Sequence, residues 1–365
     1  MSAFKVLTFI TLSLLVSSNL FAQVETTSEE EDYSIYDNLD YVDEGTKSFA
    51  SAKISGLSPA RLISVGYDFQ GGYDLTAGVI SNFGPQTARV NSTQGLRIGA
   101  NIPVISKNSL IVQLGGQIWD VNYDFENPNT LTHPMLQALN KNNLTTLGLN
   151  STIFKPLNET NFILVQLASD MNGDYTLSKP QSLKYNTFSA AAIWGKRPSD
   201  YKQWGVGLSR TYRAGELNYI PIFLFNWTSP TSKWGTELLL PARGHVRYTI
   251  NRQNMLFFGF ELEGNSYRFD EASLSLANNN GFTPVDDLEI RRSELRVRFQ
   301  WQRKLIGFVW IALEGGYRIN YSFNVDEVPG GQDFYRGFFG DQPLAIENSL
   351  TNPLYFNVSF NLVSP

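Results

Sequence analysis

The side chains of this chain that could do chemistry gather in four alternating stretches. His245 and Arg247 alternate with Val246 and Tyr248. Glu261 and Glu263 alternate with Leu262 and Gly264. Arg292, Glu294, Arg296 and Arg298 share a stretch with Leu295, Val297 and Phe299, and Glu314 and Arg318 one with Leu313, Gly315, Tyr317 and Ile319. A period of two puts the charges on one face of a strand and the apolar residues on the other. A carboxylate-rich strand beside an arginine-rich one is expected to form cross-strand Glu/Arg pairs. On the inside of a pore such a wall would be a constriction selecting polar or anionic solutes. The plainer reading is a wet ladder that braces the structure and binds nothing, which is the usual fate of a charge run.

Covalent or acid–base chemistry finds little support. The two histidines are His133, in "TLTHPML", and His245, and neither sits in a nucleophile motif. An outer-membrane hydrolase or acyltransferase working through His133 is therefore the third-ranked reading, and no catalytic residue is expected. Cysteine is absent, and no metal-ligand cluster, P-loop or dinucleotide fingerprint is present, so no metal or cofactor is expected. A formal charge of −5 argues against nucleic acid as a partner. One further group, Phe334, Tyr335, Phe338 and Phe339, lies among glycines and acids in the stretch 324–351. It is expected either to plug a mouth, to contact a ligand, or to hold a compact surface loop together.

The elements that would position these residues read as strands almost throughout. Alternating runs fall at 61–69, 96–102, 110–123, 145–154, 162–170, 187–195, 203–213, 218–227, 233–240, 245–250, 255–269, 288–302, 307–323 and 354–362. That is about 14 strands, with 12 as the alternative if one hairpin is irregular. No helix of 3.6-residue period is expected. The connections alternate between short turns ("SKNS", "PLNET", "RPSDYK", "TSPTS", "NRQN", "RKLI") and long stretches at 70–95, 125–143, 171–186, 270–287 and 324–353. Two connections on the long side, near 214–217 and 241–244, break the rule. Short turns on one rim and long loops on the other predict an all-β, antiparallel up-and-down transmembrane barrel, with periplasmic turns and extracellular loops. Five tryptophans (Trp194, Trp204, Trp227, Trp234 and Trp301) lie beside the short turns. Tyr123, Tyr212, Tyr219, Tyr267, Tyr317, Tyr321 and Phe323 lie near the other ends, as two lipid-facing aromatic belts would require. A soluble sandwich would explain the alternation but requires neither the loop asymmetry nor the tryptophan placement.

The N-terminus reads as a secretory signal over 1–22, with Lys5 before an apolar run and Ala22 at the cleavage point. An acidic periplasmic extension, 23–58, follows; nine of residues 23–47 are Asp or Glu, and Tyr33, Tyr36 and Tyr41 could dock on a partner. The barrel is placed at 59–365. The last strand, "LYFNVSFNL", is expected to face lipid through Leu354, Phe356, Val358, Phe360 and Leu362 and to close the barrel against 63–69. Such an aromatic-rich end resembles the signal read by the barrel insertion machinery, although Val363-Ser364-Pro365 follow it.

The stretch 221–269 resembles a family of bacterial outer-membrane β-barrel proteins classed as a domain of unknown function. The resemblance is carried by Pro221, Lys233-Trp234-Gly235, Leu240-Pro241, Arg247-Tyr248, Gly264 and Tyr267-Arg268. It implies an outer-membrane barrel in a Gram-negative cell and carries over no site residues. The reading is a porin-like channel for passage or uptake of small polar solutes, partnered by outer-membrane lipid. The runner-up is a non-conducting surface barrel whose long loops bind a ligand or partner.

Overall fold

The computed structural model describes residues 50, 53–177, 185–212, 217–270, 286–329 and 344–364. The proposed signal, the acidic segment before residue 50, and Phe334, Tyr335, Phe338 and Phe339 all lie outside these residues.

Fourteen antiparallel strands close into an up-and-down barrel. In chain order they are β1 (Arg61–Gln70), β3 (Gln86–Lys107), β4 (Leu110–Phe125), β5 (Leu144–Pro156), β6 (Asn161–Gly173), β7 (Asn186–Ser199) and β8 (Lys202–Thr211). Then come β9 (Asn218–Thr228), β10 (Trp234–Leu240), β11 (Arg243–Asn251), β12 (Asn254–Arg268), β13 (Asp286–Ile306), β14 (Val309–Pro329) and β16 (Leu354–Val363). Each pairs with its sequence neighbour, and β1 closes the ring between β16 and β3. The seam sets Val65 opposite Phe360 and Phe69 opposite Phe356. Two short strands, β2 (Tyr73–Ala77) and β15 (Ser349–Leu350), stack beside the far end of β3. The twelve-strand alternative is thereby set aside.

The fold is inside out relative to a water-soluble protein. Leu149 is 71% exposed and Phe258 63%, while Arg247 is 0% and Arg296 2%. Outward apolar residues on every strand form the belt that a lipid environment requires, and charge is turned inward.

Three expectations need correction. The connection 125–143 contains a helix, α1 (Pro134–Lys141), after a single 3-10 turn at Pro128–Thr130. Its two turns are too short to show a period, but its start is specified locally. Pro134 occupies the first turn, and the Nδ1 of His133 accepts from the Met135 amide at 3.3 Å. The span 70–95 is not a loop, because β2 lies within it and β3 begins at Gln86. Finally, Tyr123, Tyr212, Tyr267 and Phe323 do not belong to a lipid belt; all are buried. Tyr123, Tyr267 and Phe323 join Tyr73, Leu75, Trp119, Met135, Leu136, Leu139 and Ile290 in one apolar core that caps the long-connection end. Tyr317 and Tyr321 do face outward.

Strand length is uneven. β10 has seven residues and β11 nine, whereas β13 and β14 have 21 each and β3 has 22. Where the wall is low its tall flanks meet: Gly173 of β6 pairs with Arg268 of β12, and the Asp174 amide donates to the Arg268 carbonyl at 3.0 Å.

At the opposite rim the chain before β1 crosses the mouth. The Ser55 amide donates to the Asp200 carbonyl at 2.7 Å, and Ser58 binds Glu237 through its amide (3.2 Å) and hydroxyl (2.9 Å). Gly56, at φ +74°, packs on Thr228. Three residues after Ser58 the chain is in β1, which lies six strands from β10 by the shorter way round. Residues 53–60 are thus a strap across the floor of the barrel.

Candidate functional site

Alternation turns one face of β12, β13, β14, β16, β1 and β3 inward, and these faces hold most of the interior charge. Arg296 is at the centre. Its Nη1 lies 2.9 Å from Glu263 and 3.5 Å from Asp68, and its Nη2 lies 2.6 Å from Glu294. Arg298 Nη1 reaches Glu261 at 2.5 Å and Glu314 at 2.9 Å. Arg292 and Arg318 both approach Glu294, at 3.2 and 3.7 Å, and Arg97 pairs with Glu263 from β3. Strand register alone would oppose this arrangement, because Glu263 sits directly opposite Glu294 and Arg296 opposite Arg318. The ion pairs therefore form diagonally, along a strand or, as with Arg97–Glu263 and Arg296–Asp68, across the interior between strands that are not neighbours.

Neutral groups complete the network. Gln70 donates to Glu294 at 3.3 Å and accepts from Arg318 at 2.7 Å, while Tyr355 donates to Glu314 at 2.9 Å. Trp119 presents its ring to Arg97 at 4.3 Å and Arg292 at 4.8 Å. Five arginines (97, 292, 296, 298 and 318) face five carboxylates (68, 261, 263, 294 and 314), and Arg61 and Arg243 add positive charge near Glu261. The space left between Asp68, Thr93, Trp119, Arg292 and Arg296 is about 10 Å³, room for no more than about one water.

Of the residues singled out in the sequence, Glu261, Glu263, Arg292, Glu294, Arg296, Arg298, Glu314 and Arg318 come together here. His245 and Arg247 do not. They join Glu237 in a smaller cluster, with Arg247 Nε at 3.1 Å and His245 Nε2 at 3.5 Å from its carboxylate, and Ser58 of the strap on the same group. Sequence reading missed Asp68, Gln70, Arg97, Glu237 and Tyr355. Their positions on the inner face follow from alternation, but their partners come from distant strands. His133 lies in the cap, 1% exposed. Its Nε2 is 2.9 Å from the Gly78 carbonyl, and burial pushes its pKa below the ordinary histidine value.

The other inner wall differs in kind. From β4 to β8 the inward positions include Gln113, Gln117, Asn150, Thr152, Gln166, Ala168, Ser189, Ala191, Gly207 and Ser209, all exposed or half-buried, while the same face turns apolar at Leu164, Ile193 and, on β9, Ile220, Ile222 and Leu224. At Gly207 a Cβ would lie 2.1 Å from the Ala192 carbonyl oxygen, so close approach of β7 and β8 leaves bare backbone on this wall.

Outward belt, closed ring and polar interior together define a membrane-spanning type of β-barrel. The family described as "Domain of unknown function (DUF6268)" matches residues 84–335. The chain belongs to this family. No curated protein matches the sequence. Among solved structures, an outer membrane channel from Pseudomonas putida F1 is similar at 9% identity and TM-score 0.35, over 84% of this chain and 97% of that one. The Pseudomonas putida toluene transporter TodX is similar at 8% identity and TM-score 0.33, over 87% and 100%. A Pseudomonas aeruginosa FadL homologue is similar at 10% identity and TM-score 0.34, over 84% and 91%.

Proposed function

We propose that the protein is an outer-membrane barrel that passes small polar solutes, exported by its signal and inserted through the aromatic-rich strand β16. The observation that supports this best is the polarity of the interior. A barrel that only anchored loops could fill itself with apolar side chains, but this one turns amides, hydroxyls and ion pairs inward behind an apolar belt. The test is conductance of the full chain in a planar bilayer. Discrete channel events are expected; a protein that migrates as a folded, heat-modifiable barrel yet never conducts would sink the passage reading.

The apolar cap favours a second reading. Met135, Leu136 and Leu139 of α1 pack with Tyr73, Leu75 and Phe323 at the extracellular end, which suits a non-conducting barrel that presents its outer surface to a ligand. Absence of conductance together with retained binding of a cell-surface component would select it.

A further inference from the structure

We infer that the passage runs along the inner face of β4–β8, away from the charged wall, and that it takes small uncharged solutes rich in hydroxyl groups, sugars being the chemical class that fits. This rests on the passage reading above and specifies its route and cargo.

Three observations carry it. The first is accessibility. Gln117 and Gln166 point into the barrel yet are exposed, and Asn150, Thr152, Ser189 and Ser209 around them are half-buried, whereas Arg292, Arg296 and Glu294 opposite are packed shut. The second is charge. Among the described residues of this face, Asp170 is the one carboxylate near the glutamines, and it accepts from Gln117 Nε2 at 2.7 Å. The arginines and carboxylates of the other wall are paired with one another, so a solute on this side meets neither a cationic nor an anionic ring. The third is hydrogen-bonding capacity. Carboxamides donate and accept at once, and serine and threonine hydroxyls do the same. A sugar moving past them exchanges water partners for protein partners of the same two kinds, whereas an anion finds no opposite charge to replace its hydration and a cation finds only the buried Asp170, already bonded to Gln117.

The chain has no cysteine, so single cysteines report cleanly. In the full-length protein reconstituted in liposomes, Gln166→Cys is expected to react quickly with a water-soluble thiol reagent and Leu167→Cys, on the lipid face, slowly. Liposome swelling in a neutral pentose or disaccharide is expected to exceed swelling in a charged solute of similar size. Gln166→Trp should cut the sugar rate about fivefold or more by narrowing the path, and Gln166→Glu and Gln166→Lys should move the reversal potential in opposite directions. Sugar swelling that ignores Gln166→Trp, or a cysteine at 166 no more reactive than one at 167, would overturn the route and leave passage itself standing. Preference for a charged solute in the parent would overturn the cargo. Fast labelling at 166 in a barrel that swells in no solute would overturn the passage reading and this inference with it.

Discussion

The two inner walls of the barrel are built from the same alternation but reach different ends. On β12–β14, β16, β1 and β3 the inward positions carry long charged side chains, and Glu263, Arg292, Glu294, Arg296, Glu314 and Arg318 among them are buried. On β4–β8 most of them are small or amide-bearing and stay accessible, the exceptions being Leu164 and Ile193. Length is part of the cause. Arginine and glutamate reach diagonal partners across adjacent strands and, through Arg97 and Glu263, between β3 and β12. Once paired they exclude water, because an unpaired charge in that space would be far more costly than a paired one. Serine, alanine and glycine cannot reach across, so the space before them stays open. Packing here follows side-chain reach, and apolarity has little to do with it.

The contrast breaks most sharply at Arg296. Arg296→Ala leaves Asp68, Glu263 and Glu294 around a vanished cation and should destabilise the barrel by about 3–5 kcal/mol. The drop would appear as a lower temperature for the heat-modifiable shift on detergent gels, whereas Gln117→Ala on the open wall should stay within about 0.5 kcal/mol of the parent. Equal losses at both sites would erase the distinction between the walls. Gly207→Ala tests the open wall from its backbone. With its Cβ 2.1 Å from the Ala192 carbonyl, it should cost about 1–3 kcal/mol as overpacking does, measured by denaturant unfolding in detergent.

The strap supplies a smaller effect. Glu237→Gln weakens the hold on Ser58 and on Arg247, and should cost about 1–3 kcal/mol. Faster cleavage by a protease within residues 53–60, with the barrel fragment intact, would confirm that the loss is local. The smallest effect concerns the cap. His133 has its pKa lowered by burial, so the neutral form is favoured on folding. Stability from this group is complete above the ordinary histidine value, about 6.5, and declines as pH falls below it. Protection of the α1 amides, taken relative to their intrinsic exchange rate at each pH, should therefore fall between about pH 6.5 and 5, and the change should vanish in His133→Gln. Protection indifferent to pH would show that His133 does not control the cap.

Much of this was legible from alternation alone. The strand count, the closing seam of Ile63–Phe69 on Phe356–Leu362, and the inward turn of the charged faces all follow from period two. What alternation cannot show is which inward residues meet. Alternation puts Asp68 and Arg97 on the inward face of their strands, but nothing local announces Arg296 or Glu263 as their partners. Helix α1 was missed because eight residues give too little period, and the buried tyrosines because an aromatic near a strand end is equally suited to lipid or to a cap. The separation of His245 and Arg247 from the main network follows from Glu237, a residue whose neighbours Thr236 and Leu238 gave it no distinction in the sequence.

The low wall at β10 has a consequence for the bilayer. Seven residues at about 3.3 Å each give a strand shorter than the roughly 9–11 residues that a tilted strand needs to cross the hydrocarbon. Trp234 anchors its lower end, and the hairpin at Pro241 ends it. Lipid beside β10 must therefore thin to meet the protein, while lipid beside β13 and β14 need not. The barrel would sit in a lopsided collar, and a membrane already thin on average would hold it with the least distortion.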